Sequence, residues 1–115
     1  MQELDIPIFK KAYDLYRQFH EIRNKMPKQE RYTLFQKSEN TLLEVIEGIL
    51  TASQLTKNEK LPVLKETASK VSLLRVFVRL MKDIKAIDLK IYTLFELDID
   101  EIGRMLGGWI KASKE

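Results

Sequence analysis

The chain has 115 residues, of which 44% are hydrophobic and 32% are charged, and it contains no cysteine. These values are typical of one globular domain covering residues 1–115, and they exclude intrinsic disorder, disulfides and thiolate chemistry. The N-terminal residues lack the pattern of a signal peptide and no apolar run is long enough to cross a membrane, so we predict a cytoplasmic protein. The net charge of +3 is modest, so the placement of the charges is more informative than their sum.

Apolar residues in heptad spacing define the first two predicted helices. The first is Pro7–Lys25, with Asp5 as its cap, and Pro27 ends it because the residue before a proline avoids the helical region. The second is Gln29–Leu55, in which Gly48 indicates a close contact with another helix. Three glutamates of the second helix are expected to face outward: Glu39, Glu44 and Glu47.

The third predicted helix begins near Asn58, its expected cap, has Pro62 in its first turn and continues to Lys85. It carries two apolar stripes, which make a wider apolar face than one bundle core needs. Either both stripes are buried within the chain, or the second stripe is a subunit interface. That second stripe consists of Leu73, Phe77, Leu80 and Ile84.

The fourth predicted helix is Leu89–Ala112, with Asp88 as its cap. Gly103 and Gly107 share one side of it, which predicts the close approach of another backbone at both positions. Four long helices with short joints predict an all-α fold, an up-down-up-down antiparallel four-helix bundle.

Residues suited to catalysis are scarce in this chain. It has one histidine, His20, which lies beside the heptad seam of the first helix and is expected to be a packing or surface residue. No repeated Glu-x-x-His motif for a di-iron site and no glycine-rich phosphate loop is present. We therefore predict a protein that is not an enzyme and that needs no metal and no cofactor.

Positive charge is concentrated in residues 58–86, which hold seven basic and three acidic residues. Arg75, Arg79 and Lys82 step by four and three positions and line one edge of the third helix, with no acidic residue expected on that line. Arginine suits phosphate because its planar guanidinium makes bidentate contacts. Two interpretations remain open: the edge binds a polyanion or an acidic protein, or it pairs with acids of a neighbouring helix such as Asp98 or Glu101.

Several segments together resemble the four-helix bundle proteins of the Avd type. They are Asp5–Tyr16, Glu39–Glu44, Leu74–Leu80, Asp83–Lys85, Tyr92 and above all the motif E-I-G-R-M-L-G-G-W-I-K of Glu101–Lys111. That family groups the accessory variability determinant of diversity-generating retroelements with proteins encoded by intervening sequences of bacterial large ribosomal RNA genes. Phe35 and Ser38 depart from the family pattern, so local packing on the second helix is expected to differ.

The resemblance implies a homopentameric barrel with a basic surface, with Leu73, Phe77, Leu80 and Ile84 as the predicted interface. It also implies a non-catalytic partner of a reverse transcriptase that binds nucleic acid and supports mutagenic cDNA synthesis. The alternative is a structural or protein-interaction module of the ribosomal RNA intervening-sequence type. We predict binding of RNA, DNA or their hybrid without strong sequence preference and with few exposed stacking platforms. The predicted contacts are Arg75, Arg79, Lys82, Arg104 and Lys111.

Overall fold

A computed structural model describes residues 6–115, and the chain there is almost entirely helical. Its helices are α1 (Pro7–Ile22), α2 (Lys28–Arg31), α3 (Leu34–Ser53), α4 (Lys57–Asp83) and α5 (Leu89–Lys114). The first helix ends earlier than predicted, because Arg23–Lys25 form a 3₁₀ turn after it. Asp5, the predicted cap of α1, lies outside the described residues.

The four long helices, α1, α3, α4 and α5, form one bundle. α3 packs along α4, and α4 packs along α5, while α1 closes the bundle by contacting both α3 and α5. Because short connections join consecutive helices, neighbours in the chain run in opposite directions. The prediction of an all-α, up-down-up-down bundle is confirmed. Within residues 6–115, no helix combines the length and the apolar character that a membrane crossing requires.

The heptad seams of the four long helices meet in a single apolar core. Phe19, Phe35, Leu74 and Ile99, one from each long helix, are among its largest fully buried side chains. The Phe19 ring stacks on Phe35 with 5.8 Å between the ring centroids and lies 4.5 Å from the ring of Phe95. Phe35, which is atypical for the resembled family, therefore joins α3 to α1 through Phe19, which in turn contacts Phe95 of α5.

The predicted second helix, Gln29–Leu55, is interrupted near its start. The backbone leaves the helical region at Thr33, where φ is −121° and ψ is −100°. The Thr33 hydroxyl donates a 3.0 Å hydrogen bond to the carbonyl of Gln29. The single turn α2 is separated from α3 at Thr33, and the prediction of one continuous helix is wrong.

Helix caps fix where α4 and α5 begin. Thr56, and not the predicted Asn58, caps α4: its hydroxyl accepts from the Glu59 N–H and its own N–H donates to the Glu59 carboxylate at 3.1 Å. That bond lowers the pKa of Glu59. Pro62 lies inside α4 rather than in its first turn, so that prediction is also wrong. Asp88 caps α5 as predicted, accepting a 2.8 Å hydrogen bond from its backbone.

The turn between α4 and α5 closes through a left-handed residue. Lys85 has a φ of +63°, its N–H donates to the Lys82 carbonyl, and the Ala86 N–H donates to the Met81 carbonyl. This pair of bonds is a Schellman motif, in which glycine is the usual left-handed residue. A lysine at such a position costs about 1 kcal/mol relative to glycine.

Two glycines predicted to lie at close contacts behave differently. A Cβ atom on Gly48 would overlap the hydroxyl of Thr67 on α4, so the prediction for Gly48 is confirmed. A Cβ atom on Gly107 would meet nothing within 4 Å among the described residues. The predicted close approach at Gly107 is therefore wrong within the single chain.

Candidate nucleic-acid interface

The three cations predicted on the third helix lie together along α4, where α4 faces α5. We call Arg75, Arg79 and Lys82 the α4 edge. Arg75 and Arg79 line a shallow groove of about 350 Å³ with Glu96 and Asp100 of α5. The groove therefore brings acids of α5 up to the predicted basic residues.

Arg75 makes the best-defined contact of the α4 edge. Its Nε and Nη2 atoms lie 3.1 and 3.0 Å from the same carboxylate oxygen of Asp100. Gly103 leaves room for the Arg75 side chain to reach Asp100, because a Cβ atom at position 103 would stand 3.2 Å from Arg75 Nη2. The interpretation of pairing with a neighbouring helix thus holds for Arg75, with Asp100 as the partner in place of Asp98 or Glu101.

Arg79 and Lys82 share one acidic neighbour on their own helix. Asp83 lies 3.5 Å from Arg79 Nε and 3.9 Å from Lys82 Nζ. The expectation that this line of α4 carries no acid is therefore wrong, since Asp83 is four positions after Arg79. Lys82 Nζ also stands 4.6 Å from the centroid of the Tyr92 ring. The neighbouring Glu96 carboxylate raises the pKa of that tyrosine.

Arg104 and Lys111, the predicted contacts on α5, are seven residues apart and both exposed. Arg104 forms an ion pair with Glu101 one turn earlier, which lowers the pKa of that carboxyl. Among residues 6–115, no carboxylate lies within 4 Å of Lys111. Four of the five predicted contacts therefore stand beside an acid, and Lys111 does not.

The second apolar stripe of α4 is largely open to solvent in the single chain. Leu73, Leu80 and Ile84 are 42%, 43% and 50% exposed, and Phe77 is half-buried. The rest of the bundle does not cover these side chains. Burial of both stripes within the single chain is therefore excluded as the reason for the second stripe.

A second group of cations lies in the connection between α1 and α3. We call residues 23–33, which include Lys25, Lys28 and Arg31, the connector. Sequence reasoning missed this group because it considered positive charge along predicted helices, and Lys25 and Lys28 lie on either side of the predicted joint between the first two helices. The basic run R-N-K-M-P-K-Q-E-R, read as one piece, was the available signal.

One predicted surface carboxylate beside the connector is buried. Glu44 and Glu47 are exposed as predicted, but Glu39 is only 4% exposed, so that prediction is wrong. One Glu39 oxygen lies 3.6 Å from Arg23 Nη1, and the other has no hydrogen-bond partner among the described residues. Burial raises the pKa of Glu39, while the charges of Arg23 and His20 lower it in part.

Comparison with known proteins agrees with this architecture. A family model described as bAvd-like matches residues 7–113, which is nearly the whole chain. Neither the curated proteins nor the solved structures gave a match. The family match covers α1, α3 and α4 in full and all of α5 except its last residue, including the motif with Gly103 and Trp109. The chain therefore belongs to the bAvd-like family.

Proposed function

We propose that this protein is a non-catalytic accessory protein of a diversity-generating retroelement, which binds a reverse transcriptase and nucleic acid during mutagenic cDNA synthesis. The observation that carries the proposal is the bAvd-like family match over residues 7–113. The exposed cations of α4, α5 and the connector support it, because phosphate recognition relies on such groups. The proposed location is the cytoplasm.

The proposed contacts on the helices remain the five predicted cations, although most stand beside acids. The pair between Arg75 and Asp100 is about half exposed on both sides, and exposed pairs contribute less than about 1 kcal/mol. Phosphate can therefore displace Asp100 from Arg75 at modest cost. The other proposed contacts are Arg79, Lys82, Arg104 and Lys111.

The proposed assembly is a homopentamer. Its support is the exposed stripe with Leu73, Leu80 and Ile84, which would be covered if a neighbouring subunit packed on α4. Head-to-tail contacts of this kind close into a ring when the rotation between subunits is suitable. A ring repeats each cationic surface, and the repetition raises affinity through avidity.

A second candidate function is an oligomeric protein-interaction module of the ribosomal RNA intervening-sequence type. The same exposed stripe favours it, because an apolar stripe indicates protein contact and carries no information on nucleic acid. The two functions differ in their response to salt: phosphate binding weakens steeply as salt rises, whereas an apolar interface does not.

The test of the proposed function combines binding with reverse transcription. The purified protein is titrated into labelled RNA, DNA and hybrid across salt, and is co-expressed with a reverse transcriptase encoded beside it. We expect salt-dependent binding, co-purification of the two proteins and more cDNA when the accessory protein is present. No nucleic-acid binding at low salt, together with no co-purification, would contradict the proposal and leave the interaction module as the better function.

The site is tested with neutral substitutions, which avoid placing two acids together. The double variant Arg75→Gln/Arg79→Gln removes two proposed phosphate contacts and should lower the slope of log affinity against log salt by about 1.4 to 1.8. Lys57→Gln/Lys65→Gln is the matched control, since both lysines are exposed on α4 and removing them changes the net charge equally. Equal slopes for both double variants would remove the α4 edge from the binding surface.

A further inference from the structure

The connector is a folded surface held against the α4–α5 turn. Met26 is 3% exposed, and with Lys25 it lines a small cavity of about 220 Å³ whose other walls include Ala86 and Ile87. An apolar anchor therefore fixes the middle of the connector to the end of the bundle. Lys25 and the turn residue Lys85, which precedes Ala86, consequently lie at the same end of the molecule.

Arg31 stabilises the connector through hydrogen bonds to backbone carbonyls and not through pairing with an acid. Its Nε donates to the Met26 carbonyl at 3.1 Å and its Nη2 donates to the Asn24 carbonyl at 2.6 Å. Both acceptors are neutral, so the guanidinium keeps a full uncompensated charge while it orders residues 24–26. This contrasts with Arg75, whose charge is offset by Asp100.

The lysines at this end have no acidic partner in the part of the chain that the structure describes. No carboxylate of residues 6–115 lies within 4 Å of Lys25, Lys28 or Lys85. The one carboxylate within the connector, Glu30, accepts a 3.3 Å hydrogen bond from the hydroxyl of Thr33. Asp88 lines the same cavity as Lys25, but none of these three lysines forms an ion pair within residues 6–115, in contrast to the three cations of the α4 edge.

An exposed aromatic ring lies in the same connector. Tyr32 is 70% exposed, more than any other large apolar or aromatic side chain among the described residues. The guanidinium carbon of Arg23 lies 5.9 Å from the centre of its ring. A ring that is open to solvent, with one cation beside it and further cations in the same segment, has the chemistry with which proteins bind single strands: bases stack on the ring and phosphates contact the cations.

We propose that the connector and Lys85 form a binding site for single-stranded nucleic acid, in which a base stacks on Tyr32 and the backbone contacts Lys25, Lys28, Arg31 and Lys85. The inference rests on the proposed function, because it names the nucleic-acid surface and the strandedness of its ligand. A duplex is the poorer ligand, since its base faces are stacked inside the helix and cannot reach Tyr32. Stacking is tolerant of sequence, so no strong base preference is expected.

The probes are three labelled nucleic acids of about 12 nucleotides per strand, near the site size of small single-strand binders. They are oligouridine RNA, oligothymidine DNA and a duplex RNA, and binding is measured by fluorescence anisotropy across salt. The wild-type protein should bind both single strands at least about fivefold more tightly than the duplex, because only they offer a free base face. The two single strands separate RNA from DNA as the ligand.

Substitution of Tyr32 tests stacking apart from charge. Tyr32→Leu keeps an apolar side chain and should weaken single-strand binding about fivefold or more, whereas Tyr32→Phe keeps the ring and should stay within about twofold. Duplex binding should not change in either variant. Tyr32→Leu binding as tightly as the wild type would overturn the stacking site.

Lys85 separates binding from stability. Lys85→Gly relieves the left-handed backbone and should raise the melting temperature, yet it should lower the salt slope for single strands by about 0.7, the value of one phosphate contact. Lys25→Gln/Lys28→Gln should lower that slope by about 1.4, against no change for the control Lys57→Gln/Lys65→Gln. Equal slopes for the connector and control doubles would overturn the site.

These outcomes distinguish the inference from the proposed function. Wild-type binding that is insensitive to every connector variant overturns the connector site and leaves the proposed function standing. A wild-type protein that binds none of the three probes at low salt overturns the connector site, and it overturns the proposed function as well if the protein also fails to co-purify with the reverse transcriptase.

Discussion

The α4 edge and the connector carry similar numbers of cations in different surroundings. On the α4 edge, Arg75 and Arg79 lie within 3.5 Å of carboxylates, and Asp100 reaches Arg75 from the neighbouring helix. In the connector, Lys25 and Lys28 have no carboxylate within 4 Å among residues 6–115, and Arg31 contacts only backbone oxygens. Each cation of the α4 edge therefore has an acidic neighbour, whereas Lys25, Lys28 and Arg31 of the connector have none within 4 Å among the described residues.

This difference follows from how each region is built. Bundle helices are flanked by other helices, whose polar edges bring complementary charges within reach, as α5 does for α4. A connection at the end of the bundle has neighbours on fewer sides, and its cations extend into water. The spacing of cations along one helix consequently predicts a line of charge but not the electrostatic potential of the surface.

The largest expected effect comes from truncating Met26, the buried side chain that fixes the connector to the end of the bundle. Met26→Ala should lower the free energy of unfolding by about 2 to 4 kcal/mol, because it deletes a buried side chain and leaves a cavity. Denaturant unfolding measures the loss, and hydrogen exchange of residues 23–33 shows whether the connector opens.

Leu97→Ala is the control for Met26→Ala, since Leu97 is 63% exposed and its truncation should change stability by less than about 0.5 kcal/mol. A loss for Met26→Ala no larger than that of the control would mean that the connector is not anchored. The ordered surface proposed for nucleic acid would then have no structural basis.

The bundle could be predicted from the sequence because the apolar residues that form its core recur at heptad spacing along each long helix. The heptad seams with Phe19, Phe35 and Ile99 identify the buried faces, and Asp88 marks where α5 begins. The break between α2 and α3 was not predictable in this way, because the apolar pattern does not encode the departure of the Thr33 backbone from helical angles.

The candidate site was only partly predictable, because its electrostatics depend on contacts between helices. The sequence identified the line of Arg75, Arg79 and Lys82, but the partner of Arg75 depends on the rotation of α5 and on the space above Gly103. The burial of Glu39 likewise depends on how the connector packs, since Glu39 belongs to a helix whose other glutamates are exposed.

A second prediction uses Glu39, the buried acid beside the connector. Burial raises its pKa above the ordinary value of 4.5, so the folded protein retains a proton that the unfolded chain releases first. Stability should therefore fall as the pH rises from the ordinary pKa of Glu39 through its raised folded value. Glu39→Gln abolishes this titration and should gain about 1 kcal/mol at neutral pH, because a neutral amide costs less to bury than a carboxylate.

The measurement is denaturant unfolding of Glu39→Gln and wild type near pH 4 and near pH 7, where the gain should be larger at the higher pH. Glu47→Gln is the matched control: it changes the net charge equally at an exposed position of α3. If Glu39→Gln gains no more stability than Glu47→Gln at neutral pH, Arg23 compensates the Glu39 carboxylate fully. The connector would then resemble the α4 edge in its charge pairing.

The smallest expected effect concerns the pair that defines the α4 edge. A double-mutant cycle with Arg75→Gln and Asp100→Asn should give a coupling energy of about 0.2 to 1 kcal/mol, because both side chains are about half exposed and water screens their charges. The coupling should shrink in 1 M salt, where the Debye length is about 3 Å. Denaturant unfolding of the four proteins at low and high salt provides the measurement.

A salt-independent coupling well above 1 kcal/mol would show that the pair is structural, and such a pair would not open for phosphate. A weak coupling that salt removes leaves Arg75 available, and Asp100→Asn should then strengthen nucleic-acid binding because it frees a cation next to the groove between α4 and α5.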